Sequence, residues 1–184
     1  MSTSTALMTA DELLRLPRGQ YRHELINGEL KTMPLAGHNH GRITVRLSSP
    51  MAQFVWDNGL GEVFTAETGF KLTSNPDTVL GPDVCFVAKE RVEQFGGRDG
   101  YFEGPPDLAV EVLSPSERSG QVSKKVSQWL FFGAKQVWVV NPKTRTVDVH
   151  ELDKEAVTFS EGEVLEGGDL LPGFKIPVSR LFEL

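Results

Sequence analysis

The sequence lacks the features of several large protein classes, beginning with cysteine. Its 184 residues contain a single cysteine, Cys85, so no disulfide can form within the chain. A chain so poor in cysteine fits a reducing compartment, and we expect a cytoplasmic protein. Cys85 lies in an apolar stretch and is expected to be a small core residue rather than a nucleophile. A disulfide-stabilised fold is therefore excluded.

Long apolar runs are missing as well. No stretch approaches the roughly 20 apolar residues that a membrane helix needs, so we expect no membrane partner. Residues 1–8 contain no basic segment followed by an apolar one, and we interpret them as a disordered leader rather than a secretory signal. With 39% hydrophobic and 24% charged residues, the composition is that of one globular domain, which we take to span residues 1–184.

Positive charge is also in short supply. Nineteen Lys and Arg residues face 25 Asp and Glu residues, which gives a formal net charge of −6. DNA-binding domains are usually basic, because phosphate contacts supply most of their non-specific affinity. The charge balance therefore argues against a DNA-binding function unless positive charge is concentrated locally or metal ions add it. Basic residues are denser between Arg118 and Arg145 than in the acidic C-terminal tail, which weakens the objection.

Two apolar stretches that each carry one acid are the most informative feature present. Glu111 lies within the apolar run Leu108–Leu113, which predicts a strand buried on both faces. An ionised carboxylate there is costly unless it is paired, protonated or bound to a metal. Gly81–Val87 shows the same pattern, with Asp83 at the start of a short apolar strand. Oxygen ligands on two strands suit Mg²⁺ or Mn²⁺, although Glu111 could instead lie at a sheet edge or pair with a buried arginine.

A helix predicted over residues 119–132 supplies two adjacent lysines. The apolar residues that share one face of this helix, at about 100° per residue, are Val122, Val126, Trp129 and Leu130. Lys125 flanks that covered face, whereas Lys124 lies nearly opposite it. Two acids and a lysine around a metal ion suit the hydrolysis of a phosphodiester, with Lys125 positioning the attacking water or stabilising the developing charge.

These motifs resemble the Uma2 family, a group of bacterial proteins assigned as endonucleases within the PD-(D/E)XK nuclease superfamily. The segments that carry the resemblance are Pro82-Asp83, Val110–Ser116, the helical lysine and Val137–Pro142. The resemblance extends over roughly Thr9 to Phe182. It implies an α/β, restriction-endonuclease-like fold, in which a mixed β-sheet is flanked by helices and preceded by an N-terminal hairpin. It also implies metal-dependent cleavage of DNA, and the relatives often pair, so we expect a homodimer.

The resemblance also suggests roles for individual residues. Asp83, Glu111 and the Val112 carbonyl would hold Mg²⁺ or Mn²⁺, and the motif lysine falls on Lys125. Glu24 would be an outer acidic ligand, although an acid on an exposed hairpin is ordinarily solvated.

His40 matches a family histidine and is a candidate neighbour of the site, the alternative being a polar residue in the first turn of a helix. Gln121 is a departure, because family members often carry an acid there. The superfamily lysine usually lies two residues after the glutamate, a position held here by Leu113, so the lysine has migrated to the helix. A non-catalytic binding or regulatory module and a hydrolase of smaller phosphoesters therefore remain as alternatives to the DNA endonuclease.

The rest of the chain predicts further regular elements. Thr9 and Glu12 form a capping box for a short helix, and Asn27-Gly28 predicts a β-hairpin. A helix is predicted from His40 to Trp56, with Pro50 kinking it or delaying its start. The remaining predictions are an antiparallel pair of strands over residues 61–66 and 69–72, a flexible loop over 91–106, and a small hairpin over 157–159 and 163–165.

Overall fold

The computed structural model of the chain describes residues 7–17, 21–115 and 117–184. Most of the expected leader, residues 1–6, lies outside the described residues. Its last residue, Met8, is ordered against the N-terminal hairpin, because its backbone N–H donates to the Gly28 carbonyl at 2.9 Å. Within the described ranges, no helix is both long and apolar enough to cross a membrane.

The helices are interspersed among groups of strands along the chain. The helices are α1 (Ala10–Leu14), α2 (His38–Asp57), α3 (Lys89–Phe95), α4 (Ser119–Phe131) and α5 (Ser179–Phe182). The strands are β1 (Tyr21–Ile26), β2 (Glu29–Pro34), β3 (Gly61–Thr65), β4 (Phe70–Thr73), β5 (Thr78–Leu80), β6 (Val84–Ala88), β7 (Phe102–Glu103), β8 (Leu108–Val112), β9 (Gln136–Asn141), β10 (Thr146–His150), β11 (Val157–Ser160), β12 (Val164–Glu166) and β13 (Lys175–Pro177).

Two local signals are confirmed. Thr9 and Glu12 form the predicted capping box at the start of α1. β1 and β2 form the predicted hairpin, with Asn27 and Gly28 at φ 51° and 76°, the positive values that a tight hairpin turn requires.

The described residues form two large sheets and a two-stranded sheet of β12 and β13. The six-stranded sheet has the order β11-β10-β9-β8-β6-β3, and the five-stranded sheet has the order β2-β1-β5-β4-β7. β8 lies inside the larger sheet, antiparallel to β6 and parallel to β9. This is the predicted mixed sheet flanked by helices. The chain passes from the smaller sheet to the larger one between β5 and β6, at Gly81–Asp83.

Side chains of β6 and β8 alternate between two cores. Those that join the core containing α2 are Val84, Phe86, Leu108, Val110 and Val112. Those that join the core containing α4 are Cys85, Val87 and Ala109. Because residues two apart in a strand share a face, Asp83 and Glu111 both project towards the α4 side of the sheet.

Three local predictions are wrong, and two of them mistook neighbours in sequence for neighbours in a sheet. β3 and β4 do not pair with each other, because β3 joins β6 and β4 joins β5 in the other sheet. The predicted loop over 91–106 contains most of α3. β11 pairs with β10 and β12 with β13, so the expected small hairpin is absent from the described residues. Pro50 does not delay α2, which begins at His38.

Candidate functional site

Asp83 lies at the crossing between the two sheets and is only 5% exposed. Its Oδ1 accepts a hydrogen bond from Arg22 Nη1 at 3.1 Å. Its Oδ2 accepts one from the Val112 N–H at 2.8 Å and one from His40 Nε2 at 3.0 Å. Burial raises the pKa of Asp83, but His40, the Val112 N–H and Arg22 outweigh burial and hold that pKa below its ordinary value. Asp83 is therefore an ionised carboxylate with three fixed donors.

Glu111 is the second buried acid, with 6% of its surface exposed. Its Oε1 accepts a hydrogen bond from Trp129 Nε1 at 2.8 Å, and its Oε2 accepts one from Lys125 Nζ at 3.1 Å. Burial is the main reason that the pKa of Glu111 rises to about 7, with Lys125 opposing the rise and Asp83 adding to it. The carboxyl group therefore lies close to the balance between its two protonation states at neutral pH.

The strand register places the two acids next to each other. Val84 pairs with Val110 across β6 and β8, so Asp83 and Glu111 are the next residues outward from that pair. Residues facing each other on antiparallel strands have Cβ atoms about 4.5–5.5 Å apart. The effect of the Asp83 charge on the pKa of Glu111 agrees with this proximity. Two acids that are 28 residues apart in sequence thus share one end of the sheet.

Lys125 forms ion pairs with two acids of this site, Glu111 and Glu117. Its Nζ lies 3.1 Å from Glu111 Oε2 and 3.0 Å from Glu117 Oε1. Burial lowers the pKa of Lys125, but the charges of Glu111 and Glu117 outweigh it and raise that pKa. Lys124 is exposed, as its place on the helix predicts, yet it also reaches the rim of the cavity beside Glu111. Both lysines therefore line the cavity, and they differ in that Lys125 contacts Glu111 and Glu117.

A cavity of about 250 Å³ opens beside Glu111. Its apolar wall consists of Ile26, Leu80 and Trp129, and Glu24 lines it from β1. Glu24 Oε1 accepts a hydrogen bond from the Gly81 N–H at 3.3 Å and lies 3.7 Å from Arg22 Nη2. Burial raises the pKa of Glu24 more than Arg22 lowers it. The structure thus brings Glu24 to the same opening as Glu111.

The two remaining candidates have defined places. His40 lies in the first turn of α2 and reaches Asp83 across the end of the sheet, and its hydrogen bond to that carboxylate raises its pKa. Gln121 also lines the cavity, but its Oε1 accepts a hydrogen bond from the Arg118 N–H at 3.0 Å at the start of α4. Besides Glu111, the acid that contacts Lys125 is Glu117, which precedes α4 by two residues.

Sequence reasoning missed three residues of this site: Arg22, Glu117 and Trp129. Periodicity could have indicated two of them. Arg22 is two residues before Glu24 on one strand, and Trp129 is four residues after Lys125 on one helix, so each shares a face with a predicted site residue. Glu117 lies in a turn, where no period applies.

Gly81 makes room for one of these residues. A Cβ atom at position 81 would lie 3.1 Å from Arg22 Nη2, a guanidinium nitrogen that also donates to the Gly81 carbonyl. Glycine therefore allows the guanidinium to approach the backbone while it bonds Asp83.

The oxygen atoms of the site fit a hard divalent cation. Among the residues that the structure describes, no three His, Cys, Asp or Glu side chains are grouped so that they alone would hold a metal ion. Mg²⁺, however, usually takes one or two carboxylates and completes its shell with waters and substrate phosphates. Asp83 Oδ1 and both oxygens of Glu111 each accept one hydrogen bond described above, and a carboxylate oxygen has two acceptor positions. Both acids therefore keep capacity for a cation.

Comparisons with known proteins agree with this fold. A sequence model of the Uma2 family, described as "putative restriction endonuclease", matches residues 10–179. The crystal structure of a putative nuclease belonging to DUF820 from Anabaena variabilis ATCC 29413 superposes with a TM-score of 0.81 at 23% sequence identity. The match covers 95% of this chain and 97% of that one. At this identity, the similarity establishes a shared fold. No curated protein matches the chain.

Proposed function

Because the chain belongs to the Uma2 family, we propose that it is a metal-dependent endonuclease that hydrolyses phosphodiester bonds of DNA, with Mg²⁺ or Mn²⁺ as its cofactor. The observation that supports the proposal is that the strand register sets Asp83 next to Glu111, whose carboxylate contacts Lys125 at an open cavity. We also propose a cytoplasmic location, in keeping with a single, buried cysteine.

Among the residues that the structure describes, carboxylates outnumber permanent cations at this site. The acids are Asp83, Glu24, Glu111 and Glu117, and the described permanent cations that pair with them are Arg22 and Lys125. Buried acids that repel one another take up protons unless a cation compensates them, and the raised pKa values of Glu24 and Glu111 fit that situation. A divalent cation would neutralise the excess negative charge. It would also supply part of the positive charge that an acidic protein needs to approach DNA.

Each residue then has a defined task. Asp83 and Glu111, with the Val112 carbonyl, would hold the metal, and Glu24 would be an outer acidic ligand. The bound metal would polarise the phosphate and lower the pKa of an attacking water. The ammonium group of Lys125 would position that water or stabilise the charge that develops on the phosphate.

Arg22 and His40 would act through Asp83. Each donates to one oxygen of this carboxylate and so restricts its orientation. Their hydrogen bonds also keep Asp83 ionised, which is the form that binds a cation.

The proposal is tested by measuring Mn²⁺ binding by calorimetry and nicking of supercoiled plasmid DNA in the same preparations. We expect the wild type to bind Mn²⁺ and to nick DNA, and we expect Asp83→Asn and Glu111→Gln each to lose both. The matched control is Asp107→Asn, a buried aspartate at the other end of β8 that pairs with Arg91 at 3.2 Å and Lys135 at 2.9 Å. The control should lose stability and keep its affinity for Mn²⁺. Undiminished Mn²⁺ binding by both site variants would refute the proposed ligands.

A non-catalytic binding or regulatory module is the second candidate. Both buried acids already contact a protein cation, Arg22 for Asp83 and Lys125 for Glu111, so the ion pairs alone could account for their burial. The net charge of −6 also favours this alternative. A folded wild type that neither binds Mn²⁺ nor nicks DNA would decide for it.

A further inference from the structure

Glu117 ties the candidate lysine to the end of the strand that bears Glu111. It lies in the turn between β8 and α4, and 19% of its side chain is exposed. Its Oε2 accepts a hydrogen bond from the Ser114 N–H at 2.8 Å, while its Oε1 accepts one from Lys125 Nζ at 3.0 Å. A single carboxylate thus connects the turn after the strand with the helix.

The turn holds this carboxylate firmly. Pro115 follows Ser114 and restricts the backbone of the turn, because its ring fixes φ. The Ser114 side chain adds a second hydrogen bond to Glu117. Burial raises the pKa of Glu117, but the Ser114 N–H and Lys125 outweigh it, so the group stays charged.

Lys125 needs such an anchor. A lysine side chain is long and flexible, and that of Lys125 is 37% exposed, so a single contact would leave its ammonium free to turn towards solvent. Glu111 has partners other than Lys125, because it also accepts a hydrogen bond from Trp129 and, under the proposed function, binds the metal. Glu117 is not a proposed metal ligand, and its hydrogen bonds with Ser114 fix its carboxylate in the turn.

We propose that Glu117 is a positioning residue that holds the ammonium group of Lys125 at the reacting phosphate, independently of Glu111. The inference rests on the proposed function and assigns a role within the same site. It predicts that the charge of Glu117 matters through Lys125, and that an acid placed elsewhere beside this lysine can replace it.

Gln121 provides the place for a replacement acid. It lies four residues before Lys125 on α4 and lines the same cavity. A glutamate four residues before a lysine is the helical spacing that favours an ion pair. The double variant Glu117→Gln/Gln121→Glu should therefore hold the ammonium again.

The control variant is Glu163→Gln. Glu163 Oε2 accepts a hydrogen bond from the Ser160 N–H at 2.6 Å, which is the same turn contact that Glu117 makes with Ser114. It lies in the turn between β11 and β12, and none of the described lysines pairs with it. Its replacement removes an equivalent turn contact without touching Lys125.

The first measurement is the rate of Mn²⁺-dependent plasmid nicking. We expect Glu117→Gln to lower kcat about 10- to 100-fold with little change in KM, because misplacing a catalytic group affects the chemical step. The double variant should recover most of kcat, and Glu163→Gln should behave as the wild type. Thermal melting of each variant confirms that it is folded.

The second measurement needs no metal. A lysine ammonium gives a resolved ¹⁵N-edited NMR resonance only when it is held away from rapid exchange with solvent, and Lys125→Ala identifies the resonance of Lys125. We expect this resonance in the wild type and in Glu163→Gln, its loss in Glu117→Gln, and its return in the double variant.

The two measurements separate the outcomes. Absence of the Lys125 resonance from the wild type, its persistence in Glu117→Gln, or a loss of kcat that the double variant does not recover would each overturn the positioning role. If the wild type does not nick DNA, the proposed function fails, and the NMR comparison alone decides whether Glu117 holds the lysine.

Discussion

Exchanging each of two adjacent lysines for alanine gives the sharpest test of the candidate site. Lys125 Nζ lies 3.1 Å from Glu111 and 3.0 Å from Glu117, whereas Lys124 is exposed at the rim of the cavity. We expect Lys125→Ala to abolish metal-dependent cleavage of DNA, while Lys124→Ala keeps most of it. The two variants remove the same chemical group one residue apart, so each is the control for the other.

The expected loss of activity exceeds the expected loss of stability. Removing a group that stabilises charge in the transition state typically lowers the rate about 10²- to 10³-fold. Removing one partner of a fully buried ion pair can cost about 3–5 kcal/mol of folding free energy. Lys125 is 37% exposed, so solvent screens the pair, and Glu111, with a pKa of about 7, can take up a proton in its absence. We therefore expect Lys125→Ala to destabilise the fold by only about 1 kcal/mol.

The assay is nicking of supercoiled plasmid with Mn²⁺ over a range of salt concentrations, with thermal melts as the check on folding. Lys124→Ala should change the salt dependence of binding if its charge contacts a phosphate, and should leave the chemical step intact. The reverse result, an inactive Lys124→Ala beside an active Lys125→Ala, would show that the assigned roles are wrong. If neither change matters in a wild type that cuts, the lysine has no catalytic role.

Three further predictions concern other parts of the molecule. Glu24→Gln should weaken Mn²⁺ binding in calorimetry without a comparable loss of stability, and unchanged affinity would leave Glu24 as a cavity-lining acid with no part in metal binding. Asp107 has a pKa below its ordinary value because its Ala88 N–H and lysine and arginine partners outweigh its burial. Its stabilising effect is therefore complete above the unfolded-state pKa and is lost as the pH falls through the folded-state value. Asp107→Asn should thus cost roughly 1–3 kcal/mol in urea unfolding at pH 7 and much less near pH 2, and an equal cost at both would contradict this assignment. We also expect a homodimer, because a DNA duplex presents two strands to cut, and sedimentation that finds only monomer at micromolar concentration would count against it.

Local chemistry along the chain determined much of what could be predicted. The Asn27-Gly28 turn and the Thr9 capping box depend on backbone groups within a few residues, so the sequence alone indicates them. The burial of Glu111 and Asp83 followed from apolar strands around one acid each, and the side of α4 on which Lys125 lies followed from the helical period. The pairing of Val84 with Val110 sets these two acids next to each other at one end of the sheet.

Strand pairing and the partners of each acid were decided only by the tertiary structure. A run of apolar residues indicates a strand without saying which sheet it joins, so β3 and β4, neighbours in sequence, entered different sheets. Arg22 and His40 reach Asp83 from positions 61 and 43 residues away, Arg22 from β1 of the smaller sheet and His40 from the first turn of α2. Contacts of this kind depend on how distant elements pack, which short-range periodicity does not encode.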